Sequence, residues 1–290
     1  MEHAAAHGGA GEERRATLYV VATPIGNLAD ISQRALDVLR RVDAVAAEDT
    51  RVTRRLLAHY GIAKRLIAVH EHNERRAAGQ VLALLAAGKS LALTCDAGTP
   101  AISDPGALLV AAVRGAGYPV TPVPGPNAAV AALSASGFAS PHFLFYGFLP
   151  ERSAARRRAL AALAPLPFTL VFHEAPHRVE ACVADLRDGL GGERRIVLAR
   201  ELTKLFETLH ECALAEAVEW LAGNALRRKG EFVLIVEGAV GAPAGDDAGR
   251  RALEVLLPEL PLRQAVDLAA TIGGGGKKEL YRLALELKKP

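Results

Sequence analysis

From residue 18 onward, short apolar runs alternate with stretches whose apolar residues recur every three or four positions. The runs over 18–22, 44–47, 66–69, 91–94 and 120–123 have the length of buried strands. Between them, 31–41, 50–60, 73–87 and 105–116 carry the helical period. Strands that are apolar throughout, separated by helices, predict a parallel sheet covered on both faces. Asp30 with Gln33 has the spacing of a capping box, and Asp104 before Pro105 reads as an N-cap ahead of a first-turn proline.

A helix over 128–136 and a Gly- and Pro-containing stretch over 136–142 precede a restart of the pattern at Phe143. Strands over 143–148, 168–172, 196–199 and 232–236, with helices over 157–163, 179–190 and 214–221, predict a second α/β domain with a mixed sheet. Beyond Gly238 a Gly/Ala/Pro/Asp linker leads to helical patterns over 250–257, 262–270 and 277–287. The last two have the length of a small helix-turn-helix appendage. The expected division is a disordered tail over 1–16, α/β domains over 17–138 and 139–240, and a linker with a helical appendage over 241–290.

Composition narrows the function classes. Half of the 290 residues are hydrophobic, enough for real cores, and no apolar stretch reaches the roughly 18 residues of a membrane span. The net charge of +3 is spread over both halves, so no basic arm announces nucleic acid. Cys95, Cys182 and Cys212 are odd in number and too far apart for a zinc site, and read as free thiols of a cytoplasmic protein. The tail lacks the apolar centre of a signal peptide.

Candidate chemistry sits where the first five strands end. The fourth runs into Asp96-Ala-Gly-Thr-Pro100 and Ser103-Asp-Pro-Gly106, a loop whose glycines and prolines impose an unusual backbone path with carboxylates at each end. The first runs into residues 22–28, which lack both the Gly-x-Gly-x-x-Gly fingerprint and a Walker lysine. The second ends in Glu48-Asp49-Thr50-Arg51, and the third in His70-Glu-His-Asn-Glu74. His70 and His72 lack a third-ligand motif, and no metal is expected. The fifth ends in Pro124-Gly-Pro-Asn-Ala128, with Asn127 as a helix cap. At the carboxyl edge of one sheet, these loops would ring a ligand cleft.

The strings Thr23-Pro-Ile-Gly-Asn-Leu-Ala-Asp-Ile31, Ala47-Glu-Asp-Thr-Arg51, Asp96-Ala-Gly-Thr-Pro100, Ser103-Asp-Pro-Gly106 and Pro124-Gly-Pro-Asn-Ala128 resemble the ribosomal RNA small subunit methyltransferase I family of the tetrapyrrole methylase superfamily. Gly147-Phe-Leu-Pro150, Glu174-Ala-Pro-His-Arg178, Ala199-Arg-Glu-Leu-Thr-Lys204, Arg228-Lys-Gly-Glu231 and Glu279-Leu-Tyr-Arg282 extend the resemblance over nearly the whole chain after the tail. It implies a two-domain tetrapyrrole-methylase-like α/β fold, commonly a homodimer, that binds S-adenosylmethionine between its domains. The implied reaction is methylation of a cytidine ribose 2′-hydroxyl in the decoding region of 16S ribosomal RNA. By motif, the cofactor positions are Pro24, Asp96, Ala97, Gly98, Thr99, Ile102, Ser103, Asn127 and Ala128, with Phe172, His173, Glu201 and Phe232 from the second domain. His173 stands where the family more often has Tyr, and Cys95 where Ser is common.

A base that takes the hydroxyl proton is expected among the strand-end acids: Asp49 first, then Glu48, with Arg51 orienting, and Asp104 third because a helix cap is its expected job. RNA contact is expected from the basic clusters Arg156, Arg157 and Arg158, Arg194 and Arg195, Arg227, Arg228 and Lys229, and Lys277 and Lys278. With few aromatic residues, base stacking is not an obvious mode, and shape recognition of an assembled small subunit is the alternative. A small-molecule tetrapyrrole methyltransferase and a non-catalytic ribosome-assembly factor are the rival readings.

Overall fold

The computed structural model describes residues 15–239, 246–273 and 276–287. These fall into two compact units, one of residues 15–134 with Glu201–Glu207, the other of 135–200 with the remainder from Thr208 onward. The expected tail lies outside the described residues up to position 14, as do the linker over 240–245 and residues 274–275.

In the first unit, β1 (Leu18–Val21), β2 (Ala44–Ala47), β3 (Arg65–Ala68), β4 (Leu91–Thr94) and β5 (Val120–Val123) form a five-stranded sheet in the order β3-β2-β4-β1-β5, parallel at every pairing. The connecting helices are α1 (Gln33–Arg41), α2 (Thr50–His59), α3 (Glu74–Ala86) and α4 (Ala107–Gly115), and α5 (Ala128–Ser134) follows β5. The period-2 alternation divides each strand between two cores. Ala44, Ala46, Leu91 and Leu93 pack with Val81 and Leu85 of α3 and Leu109 and Val113 of α4. Val45 and Ala92 pack on the opposite face with Leu36 and Leu39 of α1 and Leu57 of α2. Burial on both faces is why these strands read as continuous apolar runs.

Two of the expected caps are corrected. Ser32 caps α1, its side chain accepting from Ala35 N at 3.1 Å, while Asp30 ends a short 3-10 turn over Leu28–Asp30. Asp104 does not cap α4. Its N-cap is Gly106, and the orphan amides of Gly106, Leu108 and Leu109 all donate to Glu74 Oε1, at 3.0, 2.7 and 3.1 Å. A buried carboxylate from the start of α3 thus does what a local aspartate was expected to do.

The second unit holds β6 (Phe143–Phe148), α6 (Ser153–Leu163), β7 (Thr169–Glu174), α7 (Val179–Leu190), β8 (Arg195–Arg200), β9 (Thr208–Ala213), α8 (Leu214–Ala222) and β10 (Phe232–Val236). The sheet order is β6-β7-β10-β8-β9, with β6 and β7 parallel and the other pairs antiparallel, the mixed sheet the pattern predicts. The apolar pattern does not predict β9, an edge strand of Thr-Leu-His-Glu-Cys-Ala with no fully buried residue. The helices α9 (Asp246–Leu256), α10 (Leu262–Gly273) and α11 (Lys277–Leu287) close on a core of their own through Leu253, Ala265, Val266, Ala269, Leu280 and Ala284. No helix among the described residues is long and apolar enough to cross a membrane.

Candidate functional site

Three strand-end loops of the first unit are tied together. Thr23 N donates to Gly98 O at 2.8 Å and Gly98 N to Thr23 O at 3.0 Å, a two-way bridge between the loops after β1 and β4. The Thr23 hydroxyl donates to Cys95 O at 3.1 Å, and Thr99 Oγ1 donates to Pro126 O at 3.2 Å, joining the loop after β5. Gly98 takes φ 88°, the left-handed region where a side chain is strained. Tyr60 at the end of α2 donates its hydroxyl to Leu28 O at 2.5 Å and anchors the first loop from outside.

Between the first loop, the fourth loop and α2 lies a cavity of about 350 Å³, lined on one side by Pro24, Ile25, Gly26 and Leu28. Val52, Thr53, Arg55 and Leu56 form the α2 side, and Cys95, Asp96 and Ala97 the fourth loop. Of the residues expected at a cofactor, the structure brings Pro24, Asp96 and Ala97 to this wall and Gly98 and Thr99 into its supporting bonds. Asn127 caps α5, accepting from Val130 N at 3.1 Å, and Ala128 opens that helix. Ile102 and Ser103 are exposed further along the fourth loop, where Ala101 and Ser103 both hold positive φ, 66° and 64°. Two non-glycine residues held there mark a strained loop, as is common at ligand sites.

Four carboxylates converge on the same strand ends. Glu48 Oε2 accepts from Asp96 N at 3.2 Å, and Asp96 Oδ1 accepts from Asp49 N at 3.0 Å. Burial raises the pKa of Glu48 above the ordinary glutamate value, reinforced by the charges of Asp104, Asp96 and Asp49. Burial likewise raises Asp96 and Asp104, and Asp104 lies beside the buried Cys95 thiol, itself pushed up by burial and by the Asp104 charge. Asp49 is different. It caps α2, accepting from Arg51 N at 2.7 Å, and pairs with the Arg51 guanidinium at 2.6 Å. That hydrogen bonding lowers its pKa to about 2.

In the second unit the alternation of β7 and β10 sets the facing of the expected cofactor positions. Phe172 and Phe232 point into the helix-covered core with Leu170 and Leu234, and their rings are buried there. The opposite face at that level carries His173, paired in register with Val233. His173 has the rings of Phe145 and Phe148 at 5.1 and 5.6 Å, its pKa is lowered by burial, and its buried Nε2 has no hydrogen-bond partner. Glu201, at φ 51°, binds Lys204 Nζ through Oε1 at 2.9 Å.

Among the basic candidates, Arg156 is corrected: it is buried, with Asp185 Oδ2 at 2.6 Å, and is a structural ion pair instead of an RNA contact. Arg157 is exposed beside the same Asp185, and Arg158 is exposed on the same helix. Arg228 pairs with Glu180 at 2.9 Å, Lys277 with Asp267 at 2.8 Å, and Lys229 and Lys278 are exposed. Arg194 is half-buried, donating to Ala164 O, and Arg195 pairs with Glu211.

Residues 17–218 match the family profile described as Tetrapyrrole (Corrin/Porphyrin) Methylases, and residues 243–288 match one described as RsmI C-terminal HTH domain. A ribosomal RNA small subunit methyltransferase I of Pseudomonas aeruginosa is 52% identical over 274 residues, spanning 93% of this chain and 97% of its own. One from Escherichia coli O157:H7 is 52% identical over 270 residues, spanning 93% and 94%. Among solved structures, a uroporphyrin-III C-methyl transferase from Thermus thermophilus, complexed with S-adenyl homocysteine, has a TM-score of 0.55 at 18% identity, covering 76% of this chain and 97% of that one. At that identity the likeness speaks for the fold.

Proposed function

The chain belongs to the tetrapyrrole methylases, in the ribosomal RNA small subunit methyltransferase I branch, and we propose that it methylates a cytidine ribose 2′-hydroxyl in 16S ribosomal RNA of the small subunit, using S-adenosylmethionine. The observation that carries this reading is the acid cluster of the strand-end loops: Asp96 lines the cavity, Glu48 accepts its amide at 3.2 Å, Asp104 lies beside the cavity-lining Cys95, and burial raises the pKa of all three. Carboxylates that are partly buried and repel one another create a negative potential that favours a cation. A sulfonium is a cation, and a cavity of about 350 Å³ is within the size range of small-ligand sites. The residues present therefore fit the cofactor.

When bound, S-adenosylmethionine supplies an electrophilic methyl group on a good leaving group. The chain's own contribution is alignment and proton removal. The bridge between Thr23 and Gly98 fixes two walls of the site, and alignment of the reacting oxygen, methyl and sulfur within such a site is worth about 7–11 kcal/mol in favourable cases. We assign proton acceptance from the ribose hydroxyl to Glu48. A base near its working pH is the more effective, and Glu48 is raised where Asp49 is held at about 2 by Arg51. Asp49 and Arg51 then position the start of α2. The RNA surface takes the exposed Arg157, Arg158, Lys229, Lys277 and Lys278 with the half-buried Arg228, and the protein acts in the cytoplasm as a homodimer.

The test offers methyl-labelled S-adenosylmethionine to small subunits lacking the modification and, in parallel, to a tetrapyrrole acceptor. Label in the ribosomal RNA alone is expected. Label in the tetrapyrrole, or cofactor binding with no transfer to RNA, would replace the reading with one of its rivals.

A further inference from the structure

The connection between β8 and β9, Glu201–Glu207, belongs to the first unit, and it is built stiff. Glu201 and Thr203 hold φ values of 51° and 66°, costly for a glutamate and more so for a β-branched threonine. The bonds that hold them are local: Thr203 N donates to Glu207 Oε2 at 2.5 Å, Lys204 N to Glu201 O at 3.0 Å, and Glu207 N to Lys204 O at 3.1 Å. The loop also packs on the first strand-end loop. A Cβ on Gly26 would stand 2.5 Å from Lys204 Cγ and 3.0 Å from Thr203 Oγ1. That Thr203 hydroxyl is buried without a hydrogen-bond partner.

What this strained loop presents to solvent is apolar: Leu205 is 89% exposed and Phe206 66%. Two large hydrophobic side chains held out on a stiffened loop indicate a surface that meets something. A lone aromatic contributes only about 150–250 Å². A stable contact between copies needs at least about 1,200 Å² in total, which this pair does not approach by itself. One ring does match one nucleobase, and bases splayed from single-stranded RNA stack on aromatic side chains. Phe206 lies two residues past the Lys204 that covers Gly26, so its Cα is within about 7 Å of that of Lys204, beside a wall of the cavity.

We propose that Phe206 is a nucleobase platform, stacking on an unpaired base of the RNA strand that carries the methylated ribose, with Leu205 packing at its flank. The inference rests on the ribosomal RNA reading above and makes Phe206 a positioning residue for it. It also supplies the stacking mode that the aromatic-poor composition did not suggest.

The test measures binding of unmethylated small subunits without cofactor, and steady-state methylation, for wild type, Phe206→Ala and Phe206→Trp. The Ala variant is expected to weaken binding and raise KM for the subunit about tenfold, with kcat changed less and cofactor affinity by calorimetry unchanged. The Trp variant is expected to restore both. Wild-type KM in Phe206→Ala, or a loss that Trp does not rescue and that falls together with cofactor affinity, overturns the platform. So does a change in sedimentation to a smaller species, which would assign the ring to a contact between copies. Wild type that binds subunits but methylates none would instead remove the methylation reading, and the binding arm would still decide the platform.

Discussion

Glu48 accepts the backbone amide of Asp96 at 3.2 Å across the ends of the neighbouring strands β2 and β4, and Asp96 returns the contact by accepting the amide of Asp49 at 3.0 Å. The two acids thus hold each other's chain in place, and burial raises both above their ordinary pKa values, reinforced at Glu48 by the charges of Asp104, Asp96 and Asp49 and at Asp96 by that of Asp49. From this exchange follow the separate roles given to Glu48 and Asp49.

Glu48→Gln retains an oxygen acceptor for the Asp96 amide and removes the proton acceptor. Single-turnover methylation is expected to fall by at least about 10²-fold, with cofactor affinity changed only a few-fold. In wild type the rate should rise with pH through an acid limb above the ordinary glutamate range, and the limb should be absent from the variant. An unaltered limb in Glu48→Gln would move the base elsewhere.

Asp49→Asn is the companion measurement. Asn is itself a good N-cap, so α2 keeps its cap and loses the Arg51 ion pair. The expected rate is within a few-fold of wild type. A drop as large as that of Glu48→Gln would return Asp49 to the role of base.

The raised acids also make a linkage prediction. Glu48, Asp96 and Asp104 bind protons more tightly in the folded protein than in the unfolded chain. Their ionisation, as pH rises from the ordinary carboxylate range through the raised values, therefore removes stability. A bound cation offsets that loss. Thermal stabilisation by S-adenosylmethionine should grow across this window, while the uncharged thioether S-adenosylhomocysteine should show no such growth. Equal pH dependence for the two would separate the acid cluster from the sulfonium.

Glu74→Ala leaves the amides of Gly106, Leu108 and Leu109 without their shared acceptor at a mostly buried helix start. A destabilisation of about 3 kcal/mol is expected in denaturant unfolding, together with weaker cofactor binding because the fourth loop ends on that anchor. Unchanged stability would show that the amides find other partners.

Much of this arrangement is written locally in the chain. The runs at Ala44–Ala47, Leu91–Thr94 and Val120–Val123 are strands at those bounds because each is short, apolar and closed by a loop of Gly, Pro or acids. Asn127 caps its helix because the acceptor and the Val130 amide are three residues apart. Glu74 could not be found that way, since it reaches Gly106 from 32 residues earlier and the nearer Asp104 offered a better local signal. The same holds for facing: Phe172 and His173 are adjacent in sequence, and only the packed sheet shows that Phe172 enters the core while its neighbour presents the unsatisfied Nε2. The edge strand β9 escaped because its apolar residues are few and none is fully buried.

The chemical position of the methyl group tests the account most directly. Small subunits lacking the modification are incubated with the protein and methyl-labelled S-adenosylmethionine, and the 16S ribosomal RNA is then hydrolysed with alkali. Methylation of a 2′-hydroxyl blocks cleavage at that nucleotide, so the account predicts that the label is recovered in one alkali-resistant dinucleotide beginning with cytidine. Label recovered in an alkali-sensitive mononucleotide, methylated on the base, would contradict it.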